Sequence, residues 1–309
     1  MSSLPGGDGE RADALRVCAE TVRPRSSMRS AQLHVWGGVH QQRQAKILAA
    51  AAWPCLEVLD IRSSGLGPGG GAALAASTWT GLKRLYLCGK ALGVAGMVGL
   101  AAANWPELVY LSLNSNSLGA AGAAALAAAM AGCRWPGLQE LCIARNALGA
   151  EGAAFLAAAA APALHKLDVQ SNNLGDKGVA CLAAAAWPNL QTIDLHFNNI
   201  GAQGAAALSG AHWQHNLLVL KLAHNKLGSA GMVALAAMRL PALEELDISY
   251  NKLGLVGAGA LAAALAGGVW PRLQVLERYP GQHTMGNDFG DEGTAAIAAA
   301  KWPGLTLTT

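Results

Sequence analysis

Residues 187–208 read WPNLQTIDLHFNNIGAQGAAAL, and close variants of this stretch recur along most of the chain. The first leucine of each copy, Leu190 in this one, returns with spacings of 26, 26, 30, 26, 26, 27, 26 and 30 residues. These leucines are Leu56, Leu82, Leu108, Leu138, Leu164, Leu190, Leu217, Leu243 and Leu273. A fixed period of this length is typical of a solenoid, in which each unit buries its apolar face against its neighbours.

Each repeat combines two patterns of different period. The segment Leu190-x-x-Ile193-x-Leu195 alternates like a half-buried strand, and the Asn and Gly residues after it predict a turn. Runs such as Gly-Ala-Ala-Ala-Leu-Ala-Ala-Ala are strong helix formers, and the Trp-Pro that follows ends the helix. The sequence therefore predicts an α/β fold with one strand and one helix in each repeat.

The same residues resemble a known family. The pattern Leu190-x-x-Ile193-x-Leu195-x-x-Asn198 resembles the leucine-rich repeat over roughly residues 53–305. The helix half, Gly-x-x-Gly-x-x-x-Leu-Ala, is similar to the ribonuclease-inhibitor-like type, which also occurs in immune-receptor and Ran GTPase-activator repeat arrays. The resemblance implies a horseshoe solenoid with parallel strands on the concave face and Ala-rich helices on the convex face. Because functions in this family differ widely, it predicts the fold and not the activity.

Three segments are predicted along the chain. Residues 1–30 are polar, lie outside the repeat and are expected to be flexible. Residues 31–52 are expected to form an N-terminal capping half repeat, with a strand starting at Leu33 and Val35 and a helix over 42–52. Residues 53–309 form the leucine-rich repeat array of about nine repeats, the last of them degenerate.

Composition bears on partners and compartment. The net charge is only +3 and charged residues make up 13% of the chain, which argues against nucleic acid and anionic membranes as partners. The six cysteines include no Cys-x-x-Cys pair, so we expect a reducing compartment and a cytoplasmic location. Arginines in the first 30 residues leave import into an organelle open. The uncharged stretch 253–271 is long enough to span a membrane, but it keeps the register of the repeat and is interpreted as part of it.

Two recurring positions are interpreted as structural. Six asparagines follow the strands, and we expect their amides to pair with the backbone of the turns: Asn116, Asn146, Asn172, Asn198, Asn225 and Asn251. Eight tryptophans precede the first leucine of a repeat by three or four residues and are expected to pack as a ladder: Trp53, Trp79, Trp105, Trp135, Trp187, Trp213, Trp270 and Trp302.

Residues that alternate with the strand leucines are expected to lie on the concave face. In the central repeats they form a predicted recognition patch for a basic or mixed-charge protein segment: Asp168, Asp194, His196, Phe197, Lys221, His224, Asp247 and Tyr250. Asp168 and Asp194 are expected one strand apart, where their charges repel by about 1–4 kcal/mol. We expect Lys166, His196 and Lys221 to offset this repulsion. The alternative is an exposed strand face that is polar without binding anything.

The last repeat departs from the pattern. Arg278 occupies a leucine position, and the asparagine arrives six residues late, at Asn287. We therefore predict a protruding insertion loop with a binding role, containing Tyr279, His283 and Met285. Residues 305–309 begin another strand, and its uncapped C-terminal edge predicts self-association or cover by a partner.

Signals for catalysis are missing from the sequence. It has no Gly-x-x-x-x-Gly-Lys phosphate loop, and no further ligand completes a metal set around His212 and His215. We therefore predict no enzyme, cofactor or metal, but a non-catalytic protein–protein interaction scaffold that binds a partner through its concave face. One alternative is a regulator of an enzyme such as a small GTPase, although Arg62 and Arg145 are the only concave arginines that stand out. Another is a structural subunit of a large assembly.

Overall fold

A computed structural model describes residues 30–32, 45–46, 49–50, 53–61, 66–89, 92–278, 286–300 and 306–308. Within these residues the strands are β1 (Ser30–Gln32), β2 (Val58–Asp60), β3 (Arg84–Tyr86), β4 (Tyr110–Ser112), β5 (Glu140–Cys142), β6 (Lys166–Asp168), β7 (Thr192–Asp194), β8 (Val219–Lys221), β9 (Glu245–Asp247), β10 (Val275–Glu277) and β11 (Thr306–Thr308). The α-helices are α1 (Gly67–Ala75), α2 (Gly93–Leu100), α3 (Gly119–Ala131), α4 (Gly149–Ala158), α5 (Gly175–Ala183), α6 (Ala202–Leu208), α7 (Gly228–Ala236), α8 (Gly254–Ala266) and α9 (Gly290–Ala299). A short 3-10 helix covers Gln214–Asn216.

The strands form one parallel sheet whose order from β1 to β11 follows the chain. Equivalent positions are aligned, so that Ile193 at the centre of β7 pairs with Leu167 of β6 and Leu220 of β8. From β2 to β10 one helix follows each strand, which gives the strand–helix alternation of the predicted α/β solenoid. The predicted fold class is confirmed.

The core lies between the sheet and the helices. Leu190, Ile193 and Leu195 are fully buried, as is Leu208 at the end of α6. Asp194, which alternates with them, is half-exposed on the opposite face of the sheet. This alternation separates the residues that hold the repeats together from those that are free to contact another molecule.

Asparagines form a hydrogen-bonded ladder at the end of the strands. Asn172 is fully buried, and its Nδ2 donates to the carbonyls of Ile143 and Val169, both at 2.9 Å. Its Oδ1 accepts a hydrogen bond from the backbone N–H of Asn146 at 2.9 Å. Each amide therefore ties its own turn to the preceding one. The structural interpretation of the asparagines is confirmed, and the asparagine ladder consists of Asn116, Asn146, Asn172, Asn198, Asn225, Asn251 and Asn287.

The tryptophans pack between successive repeats. All those in the described part of the chain are buried, with at most 5% of the side chain exposed: Trp53, Trp79, Trp105, Trp135, Trp187, Trp213 and Trp270. Trp187 Nε1 donates to the carbonyl of Ala159 at 3.3 Å, and Trp213 Nε1 donates to that of Leu182 at 3.0 Å. The predicted packing role is confirmed for these residues, while Trp302 lies outside the described part.

The N-terminal edge differs from the prediction in one respect. Strand β1 begins at Ser30, three residues before the expected start at Leu33, and Ala31 pairs with Leu59 of β2. A small alanine stands where the other repeats have a leucine, which is why the sequence pattern placed the strand too late. Residues 1–29 and most of 33–52 lie outside the described part, so the predicted domain boundaries stay predictions.

The uncharged stretch 253–271 contains helix α8 and the turn after it. Its register matches that of the other repeats, which confirms its interpretation as a repeat. Among the described residues, no helix has both the length and the apolar character needed to cross a membrane.

The last repeat keeps the ladder despite its insertion. Asn287 accepts a hydrogen bond from the backbone N–H of Asn251 at 2.8 Å, and its Nδ2 donates to the carbonyls of Ile248 and Arg278. The late asparagine therefore fills the predicted place. The insertion loop residues Tyr279, His283 and Met285 lie outside the described part, and their binding role stays a prediction. Strand β11 pairs with β10, whereas self-association through the C-terminal edge is untested.

Candidate functional site

The central strands bring the predicted concave residues into register. Asp168 of β6 is aligned with Asp194 of β7, which in turn is aligned with Lys221 of β8 and then Asp247 of β9. His196 follows β7 by two residues and lies half-buried beside this row. The alternation of the strands therefore places four of the predicted patch residues side by side.

His196 connects two of the carboxylates. Its Nε2 donates to Asp247 Oδ2 at 2.8 Å, and its Nδ1 lies 3.4 Å from Asp194 Oδ1. The Asp247 side chain is 7% exposed and that of His196 is 17% exposed, so solvent screens this interaction only weakly. We refer to Asp194, His196 and Asp247 as the acid–histidine cluster. Nε2 of the imidazole is therefore engaged with Asp247, and Nδ1 faces the carboxylate of Asp194.

The charges in the cluster shift the proton affinities of its members. Burial by itself lowers the pKa of His196, but the hydrogen bond to Asp247 and the charge of Asp194 outweigh it and raise the pKa above 6.5. Burial by itself raises the pKa of Asp247, but hydrogen bonds from His196 and Ser249 outweigh it and lower the pKa below 3.8. Both shifts favour an ionised pair.

The two lysines pair with other carboxylates than expected. Lys221 Nζ lies 2.7 Å from Glu245 Oε1, and Lys166 Nζ lies 4.0 Å from Glu140 Oε2. The nearest carboxylates of both lysines are therefore glutamates, while the charge of Lys166 still lowers the pKa of Asp168 and the charge of Asp194 raises that of Lys221. Glu140 and Glu245 are the first residues of β5 and β9. Each lies two residues before the strand position that the aspartates occupy, and therefore on the same face of the sheet. Extending the strand pattern by two residues would have found them.

Asp168 is the patch carboxylate with the fewest partners. It accepts a hydrogen bond from the backbone N–H of Gln170 at 3.0 Å, and no ion pair involves it within the described residues. Burial and the nearby charge of Asp194 raise the pKa of its carboxyl group. Asp168 therefore keeps an oxygen available for a donor from another molecule.

Three rings form a continuous stack beside the cluster. The Phe197 and His224 rings have centroids 4.1 Å apart at an interplanar angle of 11°, and the His224 and Tyr250 rings have centroids 4.1 Å apart at 9°. Phe197 is 45% exposed. We refer to these three residues as the aromatic stack. The sequence placed them beside one another, but it did not predict their parallel rings.

Each ring of the aromatic stack comes from the residue just before a ladder asparagine. Phe197, His224 and Tyr250 have φ angles of 55°, 55° and 56°, in the left-handed region that bulky residues rarely adopt. Arg145 and Ser171 share this conformation at the equivalent position, with φ angles of 57° and 56°. The conformation is therefore a requirement of the turn, and each repeat presents whatever side chain it carries there.

A second group of side chains lies towards the N-terminal half of the same face. The Tyr86 and Tyr110 ring centroids are 4.7 Å apart, and Arg84 Cζ lies 5.5 Å from the Tyr110 centroid. Cys142 Sγ lies 3.7 Å from Tyr110 Oη, and burial raises the pKa of this thiol to about 11, which leaves it un-ionised and a poor nucleophile. The sequence had singled out Arg62, outside the described part, and had missed Arg84.

Comparison with known proteins supports the architecture. A family profile described as a leucine-rich repeat matches residues 54–75, 107–127, 162–183, 188–209, 214–236 and 240–262. Among solved structures, the leucine-rich repeat-containing protein LegL7 from Legionella pneumophila has a TM-score of 0.52 at 15% identity, over 90% of this chain and 89% of that one. No curated protein matches this sequence.

Two further solved structures have lower scores. The crystal structure of Rad7 and Elc1 from yeast has a TM-score of 0.41 at 16% identity, over 86% of this chain and 77% of that one. InlP from Listeria monocytogenes has a TM-score of 0.47 at 17% identity, over 74% of this chain, which spans 57% of the Listeria protein. At these scores neither likeness says more about this chain.

The family assignment rests on agreement between independent observations. The period of the leucines, the parallel sheet, the asparagine ladder and the profile matches describe the same unit. The ribonuclease-inhibitor-like subtype stays a prediction. Proteins of this family generally mediate protein–protein interactions and are typically non-catalytic. The chain is a leucine-rich repeat protein.

Proposed function

We propose that this protein is a non-catalytic scaffold that binds a protein partner through the concave face of strands β6–β9. The observation that carries the proposal is the aromatic stack, whose Phe197 ring is 45% exposed next to the acid–histidine cluster. Aromatic side chains are enriched at protein interfaces. Side chains that are already held rigid lose less conformational entropy when a partner binds. Charged groups around them add specificity.

The charges of this face favour a basic partner segment. Carboxylates outnumber lysines on strands β5–β10, where the acids are Glu140, Asp168, Asp194, Glu245, Asp247 and Glu277 and the bases are Lys166 and Lys221. Both lysines are already paired with glutamates. The remaining carboxylates can therefore pair with lysines or arginines of a partner. Because salt screens such pairs, we expect the affinity for the partner to fall as the salt concentration rises.

Two alternative functions are a regulator of an enzyme such as a small GTPase and a structural subunit of a large assembly. The proposed compartment is the cytoplasm. Five cysteines in the described part are free thiols, as expected in a reducing environment: Cys55, Cys88, Cys133, Cys142 and Cys181.

The test compares matched double variants of the two faces. The concave variant combines Asp194→Asn with Tyr250→Ser, since serine already occupies the equivalent turn position at Ser171. The convex control combines Glu151→Gln with Phe155→Ser, which removes an acid and a ring from the exposed side of α4. Each protein is used as bait in extracts of the cells that produce it, after its cooperative unfolding has been verified.

We expect proteins recovered by the wild type and the convex control to be lost with the concave variant. Recovery that is equal for all three baits, or lost only with the convex control, would reject the concave face as the binding surface. Repeating the capture at raised salt adds a second readout. Capture that is insensitive to salt would contradict the proposed role of the carboxylates.

A further inference from the structure

The aromatic stack is interrupted at a defined position. Strands β5, β6 and β7 are consecutive neighbours, so Arg145, Ser171 and Phe197 stand one repeat apart in the same turn position. From Phe197 onward this position carries rings with centroids 4.1 Å apart. At Ser171 it carries a side chain too small to cover the next ring. One face of Phe197 is therefore open, in agreement with its exposed fraction of 45%.

The turn position of Ser171 lies between those of Phe197 and the exposed residue Arg145, one repeat away on either side. We refer to the space above Ser171, between these two positions, as the slot. Neighbouring strands lie about 4.8 Å apart, so each repeat contributes enough space along the sheet for one planar ring. The space at Ser171 can therefore hold a single ring. Arg145 makes no ion pair within the described part of the chain. Its guanidinium is therefore available to lie over a ring placed at this level.

We propose that an aromatic side chain of the partner polypeptide enters this slot, continues the aromatic stack on Phe197 and lies under the Arg145 guanidinium. The inference rests on the proposed function and specifies the chemistry that the partner must present. A ring gains a parallel neighbour on one side and a cation on the other, whereas an inserted arginine would meet the like charge of Arg145.

Charge next to the slot defines the flanking residues of the partner. Asp168 is three residues before Ser171, Asp194 is three residues before Phe197, and the two aspartates are aligned in neighbouring strands. Basic residues on either side of the partner's aromatic residue are within reach of these carboxylates. The same carboxylates repel phosphates, so a nucleobase carried by a nucleic acid is the less favoured planar occupant.

The probe is a set of short peptides of defined sequence. Gly-Lys-Trp-Lys-Gly is titrated into the full-length 15N-labelled protein, and the amide signals of Ser171, Asn172, Phe197 and Asn198 are followed by NMR. Gly-Lys-Leu-Lys-Gly, Gly-Lys-Arg-Lys-Gly and single-stranded oligothymidine serve as comparisons. We expect the tryptophan peptide to bind about five- to tenfold more tightly than the leucine peptide, as one added ring stack and cation contact allow.

Four single substitutions locate the binding. Ser171→Phe fills the slot, and Phe197 shows that the same turn accepts this residue; Phe197→Ser removes the ring beside the slot and copies Ser171. We expect each to abolish the preference for tryptophan over leucine. Arg145→Ser should reduce it about two- to threefold. Ser117→Phe is the control, since Ser117 is exposed, has a left-handed backbone and lies two repeats before Ser171. This variant should keep the preference for tryptophan over leucine.

Several outcomes would overturn the inference. The first is equal binding of the tryptophan and leucine peptides, and the second is NMR shifts confined to other repeats. The third is a preference for tryptophan that survives in both Ser171→Phe and Phe197→Ser. The fourth is binding of the arginine peptide or the oligonucleotide that is tighter than binding of the tryptophan peptide. Any of these, combined with loss of capture in the concave double variant, would reject the slot and leave the proposed function standing. If the concave variant also captures the same proteins as the wild type, the proposed function fails as well.

Discussion

The side chain of His196 reaches past strand β8 to Asp247, with Nε2 2.8 Å from Oδ2. The same ring faces Asp194 at 3.4 Å, so the acid–histidine cluster ties the first and last of three consecutive strands together on the concave face. A parallel sheet is otherwise held by bonds between immediate neighbours. The cluster therefore adds a side-chain connection of longer reach at the place where a partner is proposed to bind.

The first prediction concerns the pH dependence of this connection. Since the pKa of His196 is raised above 6.5, its contribution to stability is fully present below pH 6.5 and is lost as pH rises through the folded-state value. The pKa of Asp247 is lowered, so its contribution is present above pH 3.8 and is lost as pH falls through its folded-state value. We therefore expect the coupling between His196 and Asp247 to be largest between about pH 3.8 and pH 6.5.

A double-mutant cycle in urea unfolding measures this coupling. His196→Gln, Asp247→Asn and the double variant are compared with the wild type from pH 5 to pH 9. A coupling of about 1–3 kcal/mol near pH 5.5 that shrinks towards pH 9 is expected for a buried hydrogen bond between charged groups. A coupling that stays constant over this range, or grows with pH, would show that protonation of His196 does not strengthen the contact.

The second prediction concerns the asparagine ladder. Asn172→Ala leaves the buried backbone N–H of Asn146 without an acceptor. It also removes one of the two asparagine donors from the carbonyls of Ile143 and Val169, which keep those of Asn146 and Asn198. One unpaired buried group and two lost hydrogen bonds should lower the free energy of unfolding by about 2–5 kcal/mol. The neighbouring substitution Asn173→Ala is the control, since Ala147 occupies the equivalent exposed position with the same left-handed conformation. A similar loss in both variants would refute the special role of the ladder.

The sequence predicted the features that recur in every repeat, but not the contacts that differ from one repeat to the next. Leucine, asparagine and tryptophan positions recur with the period, so their register and burial followed from spacing alone. The partner of Lys221 depends on which rotamer reaches which acid across a strand, and the pattern contains no such information. Strand β1 was placed too late because Ala31 stands at a leucine position, where hydrophobic periodicity gives a weak signal.

The aromatic stack illustrates the same limit. Spacing placed Phe197, His224 and Tyr250 at one position of successive repeats, which the structure confirms. Their left-handed backbone conformation recurs in the turn before each of these ladder asparagines, and their rings lie parallel there. A prediction from residue types alone has no access to this conformation, because phenylalanine and tyrosine seldom adopt it.

The third prediction concerns Arg278, which occupies the leucine position that ends the strand pattern of the last repeat. It is 6% exposed, and its Nε and Nη1 atoms have no hydrogen-bond partner in the described structure. Burial lowers the pKa of its guanidinium. Because burying a guanidinium with two unbonded nitrogens destabilises the folded state, Arg278→Leu should raise the free energy of unfolding by about 1–4 kcal/mol. Thermal and urea unfolding measure the change.

Arg272→Leu is the control for this substitution. Arg272 precedes the same strand and is exposed, so exchanging it for leucine should change stability by less than about 0.5 kcal/mol. If Arg278→Leu is neutral or destabilising while the control behaves as expected, then the Arg278 guanidinium must contribute stabilising interactions in the native protein.

The fourth prediction concerns the close packing of the convex helices. A Cβ added at Gly71 of α1 would overlap the backbone carbonyl of Gly96 in α2, so the two helices touch backbone to backbone at this point. Gly71→Ala should therefore destabilise the protein by about 1–3 kcal/mol, since the helices must separate to admit a methyl group. Gly259→Ala is the matched exchange in the interior of α8, where an added Cβ has no neighbour within 4 Å. Alanine there should stabilise the helix by about 0.5–1 kcal/mol. Opposite signs for the two exchanges in urea unfolding would establish that small residues set the spacing of the helices, whereas stabilisation by both would show that α1 and α2 have room to spare.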